Sequence, residues 1–261
     1  MHTIKAHAKV NIFLKITGHS QGYHMLLSRF VRVDNLYDRV SFVPQACEEF
    51  TIEGCVGVAR ETNTIYKAYR ALQQATSQQA TSNEKIDQFF QKHKVVVNKQ
   101  IPSQAGLGGG SSDAAAFMRL TNSVCGLDLC VEKLSDIGSS IGADLPFFIH
   151  DYSSANVSGF GEIVEPFVEE PLSLELYTPP LGCDTAQVYK TFKNYFLPTI
   201  DSKSFEGWES RSSIELLESI GDPLLLNDLY LAAQKVYPEL QNYARDGWYF
   251  SGSGSTFFKY K

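Results

Sequence analysis

Residues 94–120 read "KVVVNKQIPSQAGLGGGSSDAAAFMRL", and this stretch constrains the fold more than any other. The β-branched run at Val95–Val97 favours a strand, and the alanine-rich run from Asp113 favours a helix. Between them, Gly106, Gly108, Gly109 and Gly110 occupy four of five positions, followed by Ser111 and Ser112. The order is strand, flexible loop, helix, with the helix expected to begin at Asp113. Glycines allow positive φ and remove side chains, so backbone N–H groups can converge on one point. A helix start adds unpaired donors and the positive end of the helix dipole. The combination suits a phosphate chain; a single Gly-x-Gly would suit an ordinary turn with a serine cap.

The common phosphate loops do not fit. The Walker pattern requires Lys after the last glycine, where Ser111 stands, and the dinucleotide fingerprint requires a third glycine at the same position. The His-Arg-Asp and Asp-Phe-Gly signatures of protein kinases are absent. The net charge of −6 and the lack of a basic stripe argue against a nucleic-acid partner. The five cysteines (47, 55, 125, 130, 183) are odd in number and contain no CxxC pair, which speaks against a disulfide framework or structural zinc and for a reducing cytoplasm. "MHTIKAHAKVNIFLKI" alternates rather than forming a signal-peptide core, and no apolar run is long enough to span a bilayer.

With 261 residues and 43% hydrophobic composition the chain can bury a sizeable core as one large domain or two small ones. A boundary is expected near residue 150, giving domains 1–150 and 151–261. Ala6, Ala8, Val10, Ile12, Leu14 and Ile16 alternate with His7, Lys9, Asn11 and Phe13, the pattern of a half-buried strand. Lys5 and Lys15 lie outside any motif and are expected to be surface charges. Residues 25–43 predict further strands with a turn near Asp34–Asn35. Asn63 can cap a helix running through 65–74, and residues 131–141 predict another that Gly142 stops. The duplicated "QQATS" at 73–82 is too short for a solenoid unit and is expected only to lengthen a surface helix or loop. "WYFSGSGSTFFKYK" predicts strand, small-residue loop, strand.

The pattern Pro-x3-Gly-Leu-Gly-Gly-Gly-Ser-Ser, from Pro102 to Ser112, resembles the phosphate loop of the GHMP kinase superfamily. "AHAKVNIFLKITG" (6–18) looks like that family's first motif and "FSGSGSTFF" (250–258) like its third, in the family's order and over nearly the whole chain. Lys9, Asn11, Gly18, Gly22, Tyr23 and His24, with "IGADLPFFI" (141–149), "DTAQVY" (184–189) and "NDLYLAAQKVYPEL" (227–240), are most similar to the members that act on 4-diphosphocytidyl-2-C-methyl-D-erythritol. "SQA" before Gly106 is a departure, because several relatives have more glycines there. The resemblance implies a two-domain α+β GHMP kinase fold, with a ribosomal protein S5 domain 2-like N-terminal domain and a ferredoxin-like C-terminal domain. It implies transfer of phosphate from ATP, with Mg2+, to the 2-hydroxyl of that cytidine diphosphate-linked alcohol, a step toward isoprenoid precursors.

On this resemblance Asp144 is the base and Lys9 its assisting cation; without it, Asp144 two residues before Pro146 reads equally well as a helix cap. Pro102, Gly106, Leu107, Gly108, Gly109, Gly110, Ser111 and Ser112 would hold the ATP phosphates. Asn11, Tyr23, His24, Thr185 and Tyr189 would hold the substrate, with Tyr23 and Tyr189 stacking on cytosine; Asp184 is a weaker candidate. Ser111 or Ser112 is the best candidate magnesium ligand. The active site would lie in the cleft between the domains. Three rivals stand beside this reading: a superfamily kinase acting on homoserine or mevalonate, a non-catalytic nucleotide-binding module, and an RNA binder of similar αβ fold. The "GYH" segment speaks against the first, Lys9 with Asp144 against the second, and the acidic charge against the third.

Overall fold

The computed structural model describes residues 1–20, 23–76, 80–200 and 202–261, without the side chains of 23, 80–82, 199 and 202. Gln21, Gly22, the Tyr23 side chain and much of the 73–82 repeat therefore lie outside the described residues. The chain has an α+β architecture and divides into two compact units that are interleaved along the sequence. One comprises Met1–Ala8, Asp34–Ile101 and Gly109–Asp151; the other comprises Lys9–Val33, Pro102–Gly108 and Tyr152–Lys261.

In the first unit, β4 (His93–Asn98) pairs antiparallel with the later part of β2 (Tyr23–Pro44), from Arg39↔Asn98 to Pro44↔His93. The short β3 (Ile52–Glu53) pairs with β4 in parallel. Val95 and Val97 of β4 are buried, as their β-branched run predicts. Helix α1 (Thr64–Ala75) is capped by Asn63, whose side chain accepts from Ile65 N at 2.8 Å. The repeat begins inside α1 and runs into α2 (Ala80–Phe90). Helix α3 (Gly109–Val124) packs against α1 and α5 (Leu145–His150), its buried Ala114–Ala115–Ala116 run allowing close approach. Aromatic rings fill the space beside α3: Phe50 stacks on Tyr69 at 4.0 Å, and Phe117 lies 5.7 Å from both Phe42 and Phe50. Helix α4 (Val131–Ser139) ends earlier than expected; Ser140 is the cap and its hydroxyl donates to Ile137 O at 2.7 Å, so Gly142 is not the stop.

In the second unit, the earlier part of β2 pairs antiparallel with β5 (Ser154–Ser158), and β5 with β6 (Ile163–Pro166). A separate antiparallel sheet has the order β7 (Leu174–Tyr177), β9 (Phe257–Tyr260), β8 (Tyr249–Phe250), so the expected strand–loop–strand at the end of the sequence is present. Helix α6 (Thr185–Tyr195) packs on α9 (Asp228–Val236), joined by α7 (Ser213–Ile220) and α8 (Pro223–Leu226). Arg29 is fully buried and donates to Asn156 Oδ1 at 2.7 Å and to the carbonyls of Glu209 and Arg211 at 2.9 and 3.3 Å. Its guanidinium lies 3.3 Å over the Phe167 ring. Burial lowers its pKa to about 10 against the opposing pull of Glu169 and Glu209, so it remains charged at neutral pH.

Three further expectations are corrected. Strand β2 runs through Asp34 and Asn35 without a turn; both are exposed, and burial shifts from Val31 and Val33 to Asp38, Val40 and Phe42, so the pair marks a change of phase. Strand β1 (His2–Ser20) is buried on both faces from Ala8 to Ile16, because Lys9, Asn11 and Phe13 are covered as well. Lys15 is not a surface charge: it is 7% exposed, pairs with Asp228 and donates to Leu225 O at 3.0 Å, while Asp228 also accepts from Ile16 N at 2.8 Å.

Candidate active site

The glycine loop and the C-terminal loop meet on β1 within the second unit. Lys9 N donates to Leu107 O at 3.0 Å and Thr256 N to Ala105 O at 3.1 Å. The Ser251 hydroxyl accepts from Asn11 N at 3.3 Å and donates to Gly106 O at 3.0 Å. Gly106 (φ +73) could not carry a side chain here, because its Cβ would stand 2.2 Å from Ser251 O. Lys9, 4% exposed, donates from Nζ to Asn11 Oδ1 at 2.6 Å and lies 4.5 Å over the Phe30 ring. Asn11 Nδ2 donates to Ser28 Oγ at 2.9 Å. These bonds orient the ammonium of Lys9 from below and leave little freedom in its stem.

The rest of the loop belongs to the first unit. Helix α3 starts at Gly109, four residues before the expected Asp113, so Gly109, Gly110, Ser111 and Ser112 form its first turn. Tertiary contact explains the glycine at 109, where a Cβ would lie 2.9 Å from Ile101 Cγ2; Gly110 O accepts from Thr64 Oγ1 at 2.8 Å. The N–H groups of a first turn have no partners within the helix, which keeps this end suited to an anion. Ser112 is buried and donates to His7 O at 2.7 Å, whereas Ser111 is half-buried. Pro102 is exposed at the other end of the loop.

Beneath the α3 start lies a charged cluster that sequence reading missed. Lys99 bridges Asp38 and Asp113, the latter at 2.7 Å, and Asp38 also accepts from Gln100 N at 2.5 Å and Ile101 N at 2.8 Å. Burial pushes the Asp113 carboxyl up to about 7, with Lys99 opposing. Asp38 adds to the upward push of burial, because one ammonium cannot neutralise two buried carboxylates. The only signal in the sequence was Lys99 and Asp113 flanking the loop; Asp38 lies far upstream, on β2.

Asp144 stands at the N-cap of α5 but makes no side-chain cap hydrogen bond. Asp184, in contrast, caps α6 by accepting from Gln187 N at 2.9 Å. Thr185 Oγ1 is 2.8 Å from Ser253 Oγ, which ties the start of α6 to the C-terminal loop. His24 and Tyr189 come together with ring centroids 5.3 Å apart, and Phe192 lies 5.9 Å from His24. Burial, helped by His19 and Lys193, holds His24 below the usual imidazole range, so it is neutral near pH 7, with one nitrogen a donor and the other an acceptor. Its Nε2 is buried with no hydrogen-bond partner among the described residues.

Among the described residues there is no cluster of three or more His, Cys, Asp or Glu able to hold a metal, and no helix long and apolar enough to cross a membrane. All five cysteines are free thiols.

Comparison with known proteins identifies the family. The profile described as "GHMP kinases N terminal domain" matches residues 63–152. A protein of Sulfurovum sp. (strain NBC37-1) named 4-diphosphocytidyl-2-C-methyl-D-erythritol kinase is 60% identical over 261 residues, covering 100% of both chains. The chain belongs to the 4-diphosphocytidyl-2-C-methyl-D-erythritol kinase family. A protein of the same name from Sulfurimonas denitrificans (strain ATCC 33889 / DSM 1251) is 47% identical, over 100% of this chain and 97% of the relative. A crystal structure of 4-(cytidine 5'-diphospho)-2C-methyl-D-erythritol kinase superposes with a TM-score of 0.72 at 28% identity, covering 98% of this chain and 89% of that one. The Methanococcus jannaschii mevalonate kinase shares only the fold, at 12% identity and a TM-score of 0.61, with 99% and 90% of the two chains covered.

Proposed function

We propose that this chain transfers the γ-phosphoryl group of ATP to the 2-hydroxyl of 4-diphosphocytidyl-2-C-methyl-D-erythritol, in the cytoplasm, in the non-mevalonate route to isoprenoid precursors. The observation that carries the proposal is the convergence of Lys9, Asn11, Gly106 and Ser251, linked by hydrogen bonds of 2.6–3.3 Å, in a chain 60% identical along its full length to a kinase of that name.

Phosphoryl transfer needs a positioned nucleophile, neutralised phosphate charge and a base for the attacking hydroxyl. Asp144 takes the hydroxyl proton, with Lys9 as its assisting cation. The backbone of residues 102–112 and the start of α3 hold the ATP phosphates through N–H groups. His24, neutral and with an unpartnered nitrogen, suits the mixed donor and acceptor edge of cytosine, and Tyr23, Thr185 and Tyr189 complete the substrate set. Residues 1–150 carry catalysis and ATP binding in this reading, and residues 151–261 the substrate side. Magnesium bound with ATP would neutralise phosphate charge. Of the two serines considered, Ser111 suits it, since the hydroxyl of Ser112 is committed to His7 O.

The test is ADP release by the purified protein with ATP and magnesium, offered the cytidine compound, homoserine, mevalonate or galactose, with Asp144→Asn as control. Turnover with the cytidine compound alone is expected. Turnover with another acceptor would keep the superfamily and remove the cytidine assignment. ATP binding without turnover on any acceptor would favour a non-catalytic module.

A further inference from the structure

Asn227 lies between α8 and α9, outside the three glycine- and lysine-bearing motifs, and is 2% exposed. Every polar atom of its carboxamide is engaged. Oδ1 accepts from Leu229 N at 2.9 Å and caps α9. Nδ2 donates to Phe250 O and to Gly252 O, both at 2.9 Å. The orientation of the amide is unambiguous, since only the nitrogen can serve two carbonyls and only the oxygen can receive an N–H. A parallel backbone bridge also joins Asn227 to Leu14 of β1. The loop it grips is the one that holds the site: a Cβ on Gly252 would lie 3.2 Å from Asn11 Oδ1, and Ser251 spans Asn11 N and Gly106 O. Asn11 Oδ1 in turn receives Lys9 Nζ.

We propose that Asn227 is a positioning residue for phosphoryl transfer: its two donated bonds fix the 250–252 backbone, which sets the Asn11 carboxamide and, through it, the Lys9 ammonium. The inference rests on the kinase reading above. A helix cap alone would explain only the Oδ1 bond; the paired donation to a glycine loop adds a second function to the same side chain. The adjacent Asp228 provides a natural contrast, because it ties β1 to α9 through Lys15 and Ile16 N without a bond to the loop.

The experiment compares Asn227→Asp, Asn227→Ala and Asp228→Asn in the full chain. Asn227→Asp keeps the cap acceptor and loses both donors. Its kcat should fall about 10- to 100-fold with a much smaller change in KM, as expected for a misplaced catalytic group. Amide hydrogen exchange across 250–256 should accelerate about tenfold in both Asn227 variants and stay unchanged in Asp228→Asn, which lowers stability alone. Wild-type exchange and kcat in Asn227→Asp would overturn the proposal, as would an equal kcat loss in Asp228→Asn. If the wild-type protein phosphorylates no acceptor, the kinase reading fails, while loop exchange still reports separately whether Asn227 fixes this backbone.

Discussion

Replacing Gly106 by alanine separates backbone strain from tertiary collision when it is measured beside Gly247→Ala. The two glycines have nearly the same φ, +73 and +71, so alanine meets the same left-handed penalty at each, about 1–2 kcal/mol. Their surroundings differ. A Cβ at Gly247 meets nothing within 4 Å, whereas at Gly106 it would stand 2.2 Å from Ser251 O and 3.1 Å from Gly254 N and O. Carbon and oxygen tolerate no such approach, and the obstacle is backbone that cannot rotate aside. One loop must move by roughly an ångström, stretching the Ser251–Gly106 and Thr256–Ala105 hydrogen bonds of 3.0 and 3.1 Å, each worth about 0.5–1.5 kcal/mol. Gly106→Ala should therefore cost about 1–3 kcal/mol more than Gly247→Ala in urea unfolding, and it alone should weaken ATP binding. Equal unfolding free energies for the two variants would refute the reasoning, because they would mean that the two loops do not press on each other in solution.

Asp144→Asn should lower kcat by roughly 10²–10⁴-fold while ATP binding, followed by calorimetry, changes little; near-normal turnover would remove Asp144 as the base. Lys99→Met strips the shared cation from two buried carboxylates, Asp38 and Asp113, and should destabilise the protein by about 3–5 kcal/mol in chemical denaturation; a change under about 1 kcal/mol would contradict the burial of that cluster. His24 has its pKa lowered from 6.5 by burial. The unfolded chain thus takes up the proton first, so the stability due to the neutral ring is present above pH 6.5 and is lost as pH falls from there through the lower folded-state value. His24→Gln should flatten the acid side of the stability profile, and an unchanged profile would count against the assignment.

Features set by neighbours in the chain were legible from sequence. Asn63 as a cap, the β4 run before the glycine loop and the hairpin at 249–260 each depend on a few adjacent residues, and each is present. Features set by contacts across the chain were not. Glycines read as loop, yet Gly109 and Gly110 are helical because α3 begins against Ile101 and Thr64. Asp34–Asn35 reads as a turn, yet the ladder of β2 carries straight through. Lys15 reads as solvated, and it is Asp228 and Leu225 O, both more than 200 positions away, that make its burial tolerable.

The sequence by itself determined the superfamily and its order of motifs, because glycine spacing and helix-forming runs act locally. Tertiary structure alone decided which residues share a unit, and it drew Lys9, Gly106 and Ser251 onto one scaffold from three distant segments. It also decided that Asp184 caps a helix while Asp144 does not. Both aspartates precede helices and look alike in sequence; the difference arises from where the folded backbone directs each carboxylate, which no local pattern encodes.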